Sequence, residues 1–219
     1  MDLVPLREGV TVESRLSSVQ RRVIAVLAGF EPRWTLTGGG ALAGFHLGHR
    51  DTRDLDLFFH GRRTLDHVPT ATEGTLRAAG LEVRVDQSYP GFARFIVSDE
   101  SGSTKLDLVA ASVPSLIPPS ELAPGVFVDD PQEILANKLG AILGRSELRD
   151  LVDVKSLVEA GHDLDRAIVD AATKDGGMSP PTLAWLLDQM PIEQMARGHR
   201  LDPIPLLAFR DQLVKKLLS

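Results

Sequence analysis

Three aspartates carry the strongest chemical signal in the chain. Asp54 and Asp56 stand two apart in Arg53-Asp54-Leu55-Asp56-Leu57-Phe58-Phe59, whose opening alternation predicts a strand. Side chains two apart on a strand share a face, so both carboxylates point one way while Leu55 and Leu57 point into a core. Like charges this close repel and raise one pKa unless a cation lies between them. Magnesium suits such a place, because it takes oxygen ligands and is usually held by one or two carboxylates plus substrate phosphates. The third acid, Asp107, is alone in the mostly apolar run Thr104-Lys105-Leu106-Asp107-Leu108-Val109-Ala110. An aspartate in a core strand is costly unless paired or ligated. If its strand lies beside that of Asp54, three carboxylates converge, as two-metal phosphoryl chemistry requires. The competing expectation leaves Asp54 and Asp56 facing solvent and pairs Asp107 with Lys105 or an arginine.

Upstream, Gly38-Gly39-Gly40 separates a strand expected over 34–37 from a short helix over 41–47. Glycines there allow a tight turn and close approach of a phosphate. The segment lacks the Gly-Lys-Ser/Thr ending of a P-loop. Gly38, Gly40 and Ala43 do fit a dinucleotide fingerprint, with Asp56 near the spacing of a ribose-binding acid. Gly48, however, cuts the next helix to about two turns, too short for a crossover helix. His46 and His49 are three apart, but no third His or Cys is near in sequence, which disfavours zinc. They and Arg50 are expected to shape the loop before Asp54.

These residues need elements to position them. Apolar spacing predicts a helix over 13–28 stopped by Gly29, and another over 65–79 ended by Gly80. Further strands are expected over 54–59, 81–85, 92–97 and 105–110. The stretch 113–125, with Pro114, Pro118, Pro119, Pro124 and Gly125, reads as a connector rather than an element. Beyond it the pattern turns helical, starting at Asp129-Asp130-Pro131. Helices are expected over 131–143, 147–159, 164–172, 181–189 and 204–218. The expectation is an α+β protein: an α/β core over 1–112, a Pro-rich connector over 113–128 and a helical domain over 129–219. Within the helical part, Lys138 and Arg145 are seven apart and share a face. Gly144 is expected to break their helix and Ser146 to cap the next, placing Arg149, Asp150 and Asp153 in its first two turns. The bland alternative is a surface ion pair between Arg149 and Asp153.

Composition narrows the classes. A net charge of −6 argues against a protein that coats nucleic acid non-specifically. A local basic face, such as the tail 194–219, is enough for a nucleic-acid substrate; the plainer reading of that tail is a solvated helix face. The absence of cysteine removes disulfides, thiolate metal sites and thiol nucleophiles. No secretory pattern opens the sequence and no apolar run approaches the ~20 residues of a membrane span, so a cytoplasmic protein with no membrane partner is expected.

Two glycines, an Asp-x-Asp strand and a later lone acid, in that order, resemble the DNA polymerase β-type nucleotidyltransferase superfamily. Gly39-Gly40-Ala41-Leu42-Ala43, His46-Leu47-Gly48-His49-Arg50 and Thr52-Arg53-Asp54-Leu55-Asp56-Leu57-Phe58 more closely resemble the AbiEii-type nucleotidyltransferases, which include the MenT group of type IV toxins. Lys138 to Arg145 and Arg149-Asp150-Leu151-Val152-Asp153 resemble that family's later basic and Arg-Asp-x-x-Asp motifs. The likeness spans roughly 36–158. It implies a polymerase β-type domain, a mixed sheet flanked by helices, followed by a helical part.

The resemblance further implies a magnesium-dependent enzyme that moves a nucleoside monophosphate from a nucleoside triphosphate to RNA, in some members the 3′ end of tRNA. Growth then halts until an antitoxin intervenes. It implies Asp54 and Asp56 as metal ligands, with Asp107 carried over from the wider superfamily. Gly39, Gly40, Arg50 and Thr52 become nucleotide contacts, together with Arg145 and Arg149. Lys138 becomes a phosphate-binding lysine, and Asp150 or Asp153 an assisting acid. Gly40 stands where many members have Thr or Ser, a departure expected to remove a hydroxyl contact to phosphate. Thr52, two residues before Asp54, is a candidate for regulatory phosphorylation, since about −2 of added charge there would repel the triphosphate; a phosphorylated protein with full activity ends that idea. The rivals are a small-molecule acceptor such as an aminoglycoside or lincosamide, and a degenerate domain that binds a partner without catalysis.

Overall fold

The computed structural model describes residues 13–219; the first five residues, read above for a signal segment, lie outside them. The chain divides into two units, one running to Asp130 and one from Pro131 to Ser219.

The first unit is built on a seven-stranded mixed sheet. Its strands are β1 (Thr35–Thr37), β2 (Asp54–His60), β3 (Glu82–Tyr89), β4 (Phe92–Asp99), β5 (Gly102–Ala111), β6 (Ser120–Ala123) and β7 (Val126–Val128), in the order β3-β4-β5-β2-β1-β7-β6. Strict alternation makes the sheet two-sided. Leu55, Leu57 and Phe59 of β2 are buried, as are Leu106 and Leu108 of β5 and Ala93, Phe95 and Val97 of β4. Helix α1 (Ser18–Leu27) packs on β4 and β5 and against α3 (Val68–Ala78). It starts at a capping box in which Ser17 and Gln20 satisfy each other's backbone N–H groups. The opposite face of β2, β4 and β5 carries Asp54, Asp56, Asp107 and Arg94. β2 and β5 are parallel and neighbouring, with Asp56 opposite Asp107. The strand adjacency on which carboxylate convergence depended is therefore present.

Two expectations in this unit are corrected. The Pro-rich stretch is not a bare connector: β6 and β7 lie within it, and β7 runs parallel to β1, extending the sheet. Prolines mask strands in a sequence because they cannot donate to a ladder; here they fall outside the paired residues. The glycines also do not precede the helix but form it. α2 is Gly38–Ala41, followed by a π-helical turn over Leu42–His46.

The second unit is helical: α4 (Pro131–Arg145), α5 (Leu148–Glu159), α6 (Leu164–Lys174), α7 (Pro180–Gln189), α8 (Ile192–His199) and α9 (Pro203–Leu217). Lys174 ties α6 to α4 by an ion pair with buried Glu133. Gly144 does not break α4, which runs on to Arg145, and Ser146 does not cap α5. Ser146 takes a left-handed φ of 49° and its hydroxyl donates back to the Ile142 carbonyl, so it closes α4. α8 was not expected from the sequence. No helix among the described residues is long and apolar enough to cross a membrane.

Candidate active site

The first unit gathers the glycine turn, the loop before β2 and the β2 aspartates. Asp54 and Asp56 are partly exposed while Leu55 and Leu57 between and beyond them are buried. Gly38 has φ +61°, a region that favours glycine. A Cβ on it would lie 2.8 Å from Oδ2 of Asp56, so only a glycine lets the turn lie this close to that carboxylate. A Cβ on Gly39 would lie 3.0 Å from the Thr52 hydroxyl and 3.1 Å from Nη2 of Arg50. Gly39, Arg50 and Thr52, expected as nucleotide contacts, are thus together. Gly40 is different: its missing side chain faces Leu55 and Leu36, at 3.1 and 3.3 Å. A Thr or Ser here would point at the core, so the expected loss of a phosphate hydroxyl contact at Gly40 does not describe this geometry.

Thr52 is buried and its hydroxyl donates to Asp54, 3.0 Å from Oδ1 and 3.2 Å from the carbonyl. The Thr52 carbonyl in turn accepts from Nε2 of buried Gln20, 3.2 Å away, and the same amide reaches the Thr104 hydroxyl at 3.2 Å. Gln20 therefore links α1, the loop before β2 and β5. Sequence reading missed it as a site residue, although the Ser-x-x-Gln spacing and an amide among apolar residues were visible. Nε2 of His46 lies 2.8 Å from the Asp129 carbonyl.

Asp107 does not stand as a third open carboxylate. It is buried, and Arg94 grips both of its oxygens, Nε to Oδ1 at 2.7 Å and Nη2 to Oδ2 at 2.5 Å. The hydrogen bond and charge of Asp107 raise the Arg94 pKa above its ordinary value, with a smaller contribution from Asp54. Among the described residues no three His, Asp or Glu side chains are gathered to hold a metal by themselves. Of the expected trio, Asp54 and Asp56 stand partly exposed and Asp107 is buried in the grip of Arg94. Two carboxylates remain a fitting donor set for magnesium, whose other ligands are commonly water and substrate phosphate.

The second unit holds a separate charged cluster. Lys138 is buried, and its Nζ is 2.8 Å from Asp150 and 2.7 Å from Asp153, both fully buried. Arg145, one face along α4, reaches both oxygens of Asp150 at 2.8 and 2.9 Å. Burial alone would lower the Lys138 pKa, but the charges of Asp153 and Asp150 outweigh it and raise it. Burial would likewise raise Asp150, yet Arg145 and Lys138 hold it below its ordinary value. Two cations and two anions balance. Arg149 stays outside this cluster and pairs with Glu147 at 3.1 Å.

The first unit thus joins a mixed sheet, paired aspartates on one strand and a glycine turn, and a helical unit follows it in the chain. A family model described as the nucleotidyl transferase AbiEii toxin of type IV toxin–antitoxin systems matches residues 22–218, and the chain belongs to that family. No curated protein matches. A solved structure from H. pylori, described as a candidate nucleotidyltransferase, is similar with a TM-score of 0.56 and 17% identity, over 91% of this chain and 93% of that one. JHP933 from Helicobacter pylori is similar with a TM-score of 0.56 and 18% identity, over 91% and 90%. At these identities the likeness is one of fold.

Proposed function

We propose that this nucleotidyltransferase toxin is magnesium-dependent and transfers a nucleoside monophosphate from a nucleoside triphosphate to the 3′ end of an RNA, with tRNA the favoured acceptor. The observation that carries the reading is the partly exposed Asp54–Asp56 pair on one face of β2, with the glycine turn packed closely against Asp56 at Gly38. In this reading the acceptor hydroxyl oxygen attacks the α-phosphorus and loses its proton. The bond from that phosphorus to the bridging oxygen breaks, and pyrophosphate leaves with the electron pair. Bound magnesium supplies charge neutralisation at the attacking and leaving oxygens.

The residues of the chain divide this work. Asp54 and Asp56 hold the cation, and Thr52 orients Asp54 through its hydroxyl. Gly39 and Arg50 receive the triphosphate. Lys138, with Asp150 and Asp153, is the candidate for a further phosphate-binding element, its charge held in place by the two acids. Within the family's biology the activity is countered by an antitoxin.

The test is incubation of the purified protein with each labelled nucleoside triphosphate, magnesium and total bacterial RNA. The expected result is label in a tRNA-sized band, lost in Asp54→Ala. Nucleotide binding with no label in any RNA would overturn the RNA acceptor and favour a small-molecule one.

A further inference from the structure

Arg94 is a cation on the carboxylate face that neither the family motifs nor the nucleotide contacts use. The sheet order puts the glycine turn at the end of β1, the aspartate pair on β2, Asp107 on β5 and Arg94 on β4. Direct strand partners share a face, and Asp56 lies opposite Asp107, which lies opposite Arg94. Neighbouring strands are about 4.8 Å apart, so Arg94 sits about two strand spacings from β2, on the side away from the turn. In-line displacement places the attacking and leaving oxygens on opposite sides of the phosphorus. If the triphosphate lies against the glycine turn, the acceptor approaches from the side of β5 and β4.

The guanidinium is fixed there. Asp107 takes Nε and one edge of Nη2, and the Phe92 ring lies 5.4 Å from the guanidinium carbon. Three N–H groups, two on Nη1 and one on Nη2, are not used by this fork. The side chain is 28% exposed against 7% for Asp107, so the arginine is the partner that reaches solvent. Beside it on the same face are exposed Lys105 and, opposite Phe92 in register, Tyr89 at 63% exposure. A held guanidinium next to a half-buried phenylalanine ring and an exposed tyrosine suits a nucleic-acid strand, whose phosphates need cations and whose terminal bases stack.

We propose that Arg94 is an acceptor-binding residue that contacts a backbone phosphate of the RNA near its 3′ end, and that Asp107 is a positioning residue that aims Arg94 rather than a metal ligand. The assignment rests on the nucleotidyl-transfer reading above, with the triphosphate at the glycine turn.

The experiment measures three quantities on the full chain: binding of a fluorescent RNA hairpin with a single-stranded 3′-CCA end, KM for the nucleoside triphosphate, and Mn2+ binding followed by its paramagnetic resonance signal. Arg94→Ala is expected to weaken hairpin binding about ten- to a hundredfold, the size of a lost charge-assisted hydrogen-bond pair, with triphosphate KM and Mn2+ binding unchanged. Arg94→Lys is expected to recover part of the loss. Asp107→Asn is expected to weaken hairpin binding in the same direction, by less, and to leave Mn2+ bound. Three results would overturn the proposal: unchanged hairpin affinity in Arg94→Ala, an effect confined to triphosphate KM, or loss of Mn2+ in Asp107→Asn. Asp54→Ala separates the two levels. If it retains transfer, the site reading itself fails; if it loses transfer while Arg94→Ala binds RNA normally, only the acceptor assignment fails.

Discussion

The chain carries two sets of aspartates in opposite electrostatic circumstances. Asp54 and Asp56 on β2 are partly exposed, held by a neutral hydroxyl at Asp54 and faced by a missing side chain at Gly38. Asp150 and Asp153 on α5 are fully buried and gripped by an ammonium and a guanidinium. Carboxylates that keep part of their surface toward solvent are accessible to a cation from outside. Carboxylates sealed with their own cations carry a buried charge that is tolerated only because it is matched. Asp107 is likewise buried and gripped by a cation, although Asp56, opposite it in register, is of the first kind.

That contrast can be broken most sharply at Asp54. Asp54→Ala is expected to lower nucleotide transfer about a thousandfold or more, the scale of a lost charge-stabilising group at a transition state, while the melting temperature stays at the wild-type value. A large loss of stability would place Asp54 among the structural acids.

Next in size is Asp150→Ala, which leaves Lys138 and Arg145 with one buried partner fewer. The expected cost is about 3–5 kcal/mol in urea unfolding. The pH dependence has a defined sign. The folded carboxyl of Asp150 titrates below its ordinary value of 3.8, so its contribution is full above that value and is lost as pH falls through the folded pKa. The stability gap between wild type and Asp150→Ala should therefore narrow as the solution is acidified below about pH 4.

Gly38→Ala tests the close packing of the glycine turn against Asp56. Left-handed backbone costs an alanine about 1–2 kcal/mol, and the new Cβ would push on Oδ2 of Asp56, so transfer should fall together with stability. Smallest is Thr52→Val, expected to cost about 0.5–1.5 kcal/mol and to lower transfer while the protein stays folded at room temperature, as judged by circular dichroism and single-turnover labelling.

Much of this was legible in the residues before folding. Alternation around Asp54 and Asp56 shows which side chains share a face, and a spacing of seven puts Lys138 and Arg145 together, as both now meet Asp150. Local periodicity follows from backbone geometry and needs no knowledge of distant partners. The short helix α8 was missed because only Ile192 and Ala196 are buried in eight residues, too few to set a period.

Pairings across the chain were decided elsewhere. The amide of Gln20 meets the Thr52 carbonyl 32 residues away because α1 packs on the sheet, and the strands within the Pro-rich stretch exist because β7 finds β1. The residue types of Asp107 and Arg94 permitted either a metal ligand or an ion pair. The register of β4 against β5 set Arg94 opposite Asp107 and so made the ion pair. Sequence alone determined the chemistry available at each position and the face it occupies. The tertiary structure determined which charges meet, because the energy of a buried charge depends on neighbours that only the fold supplies.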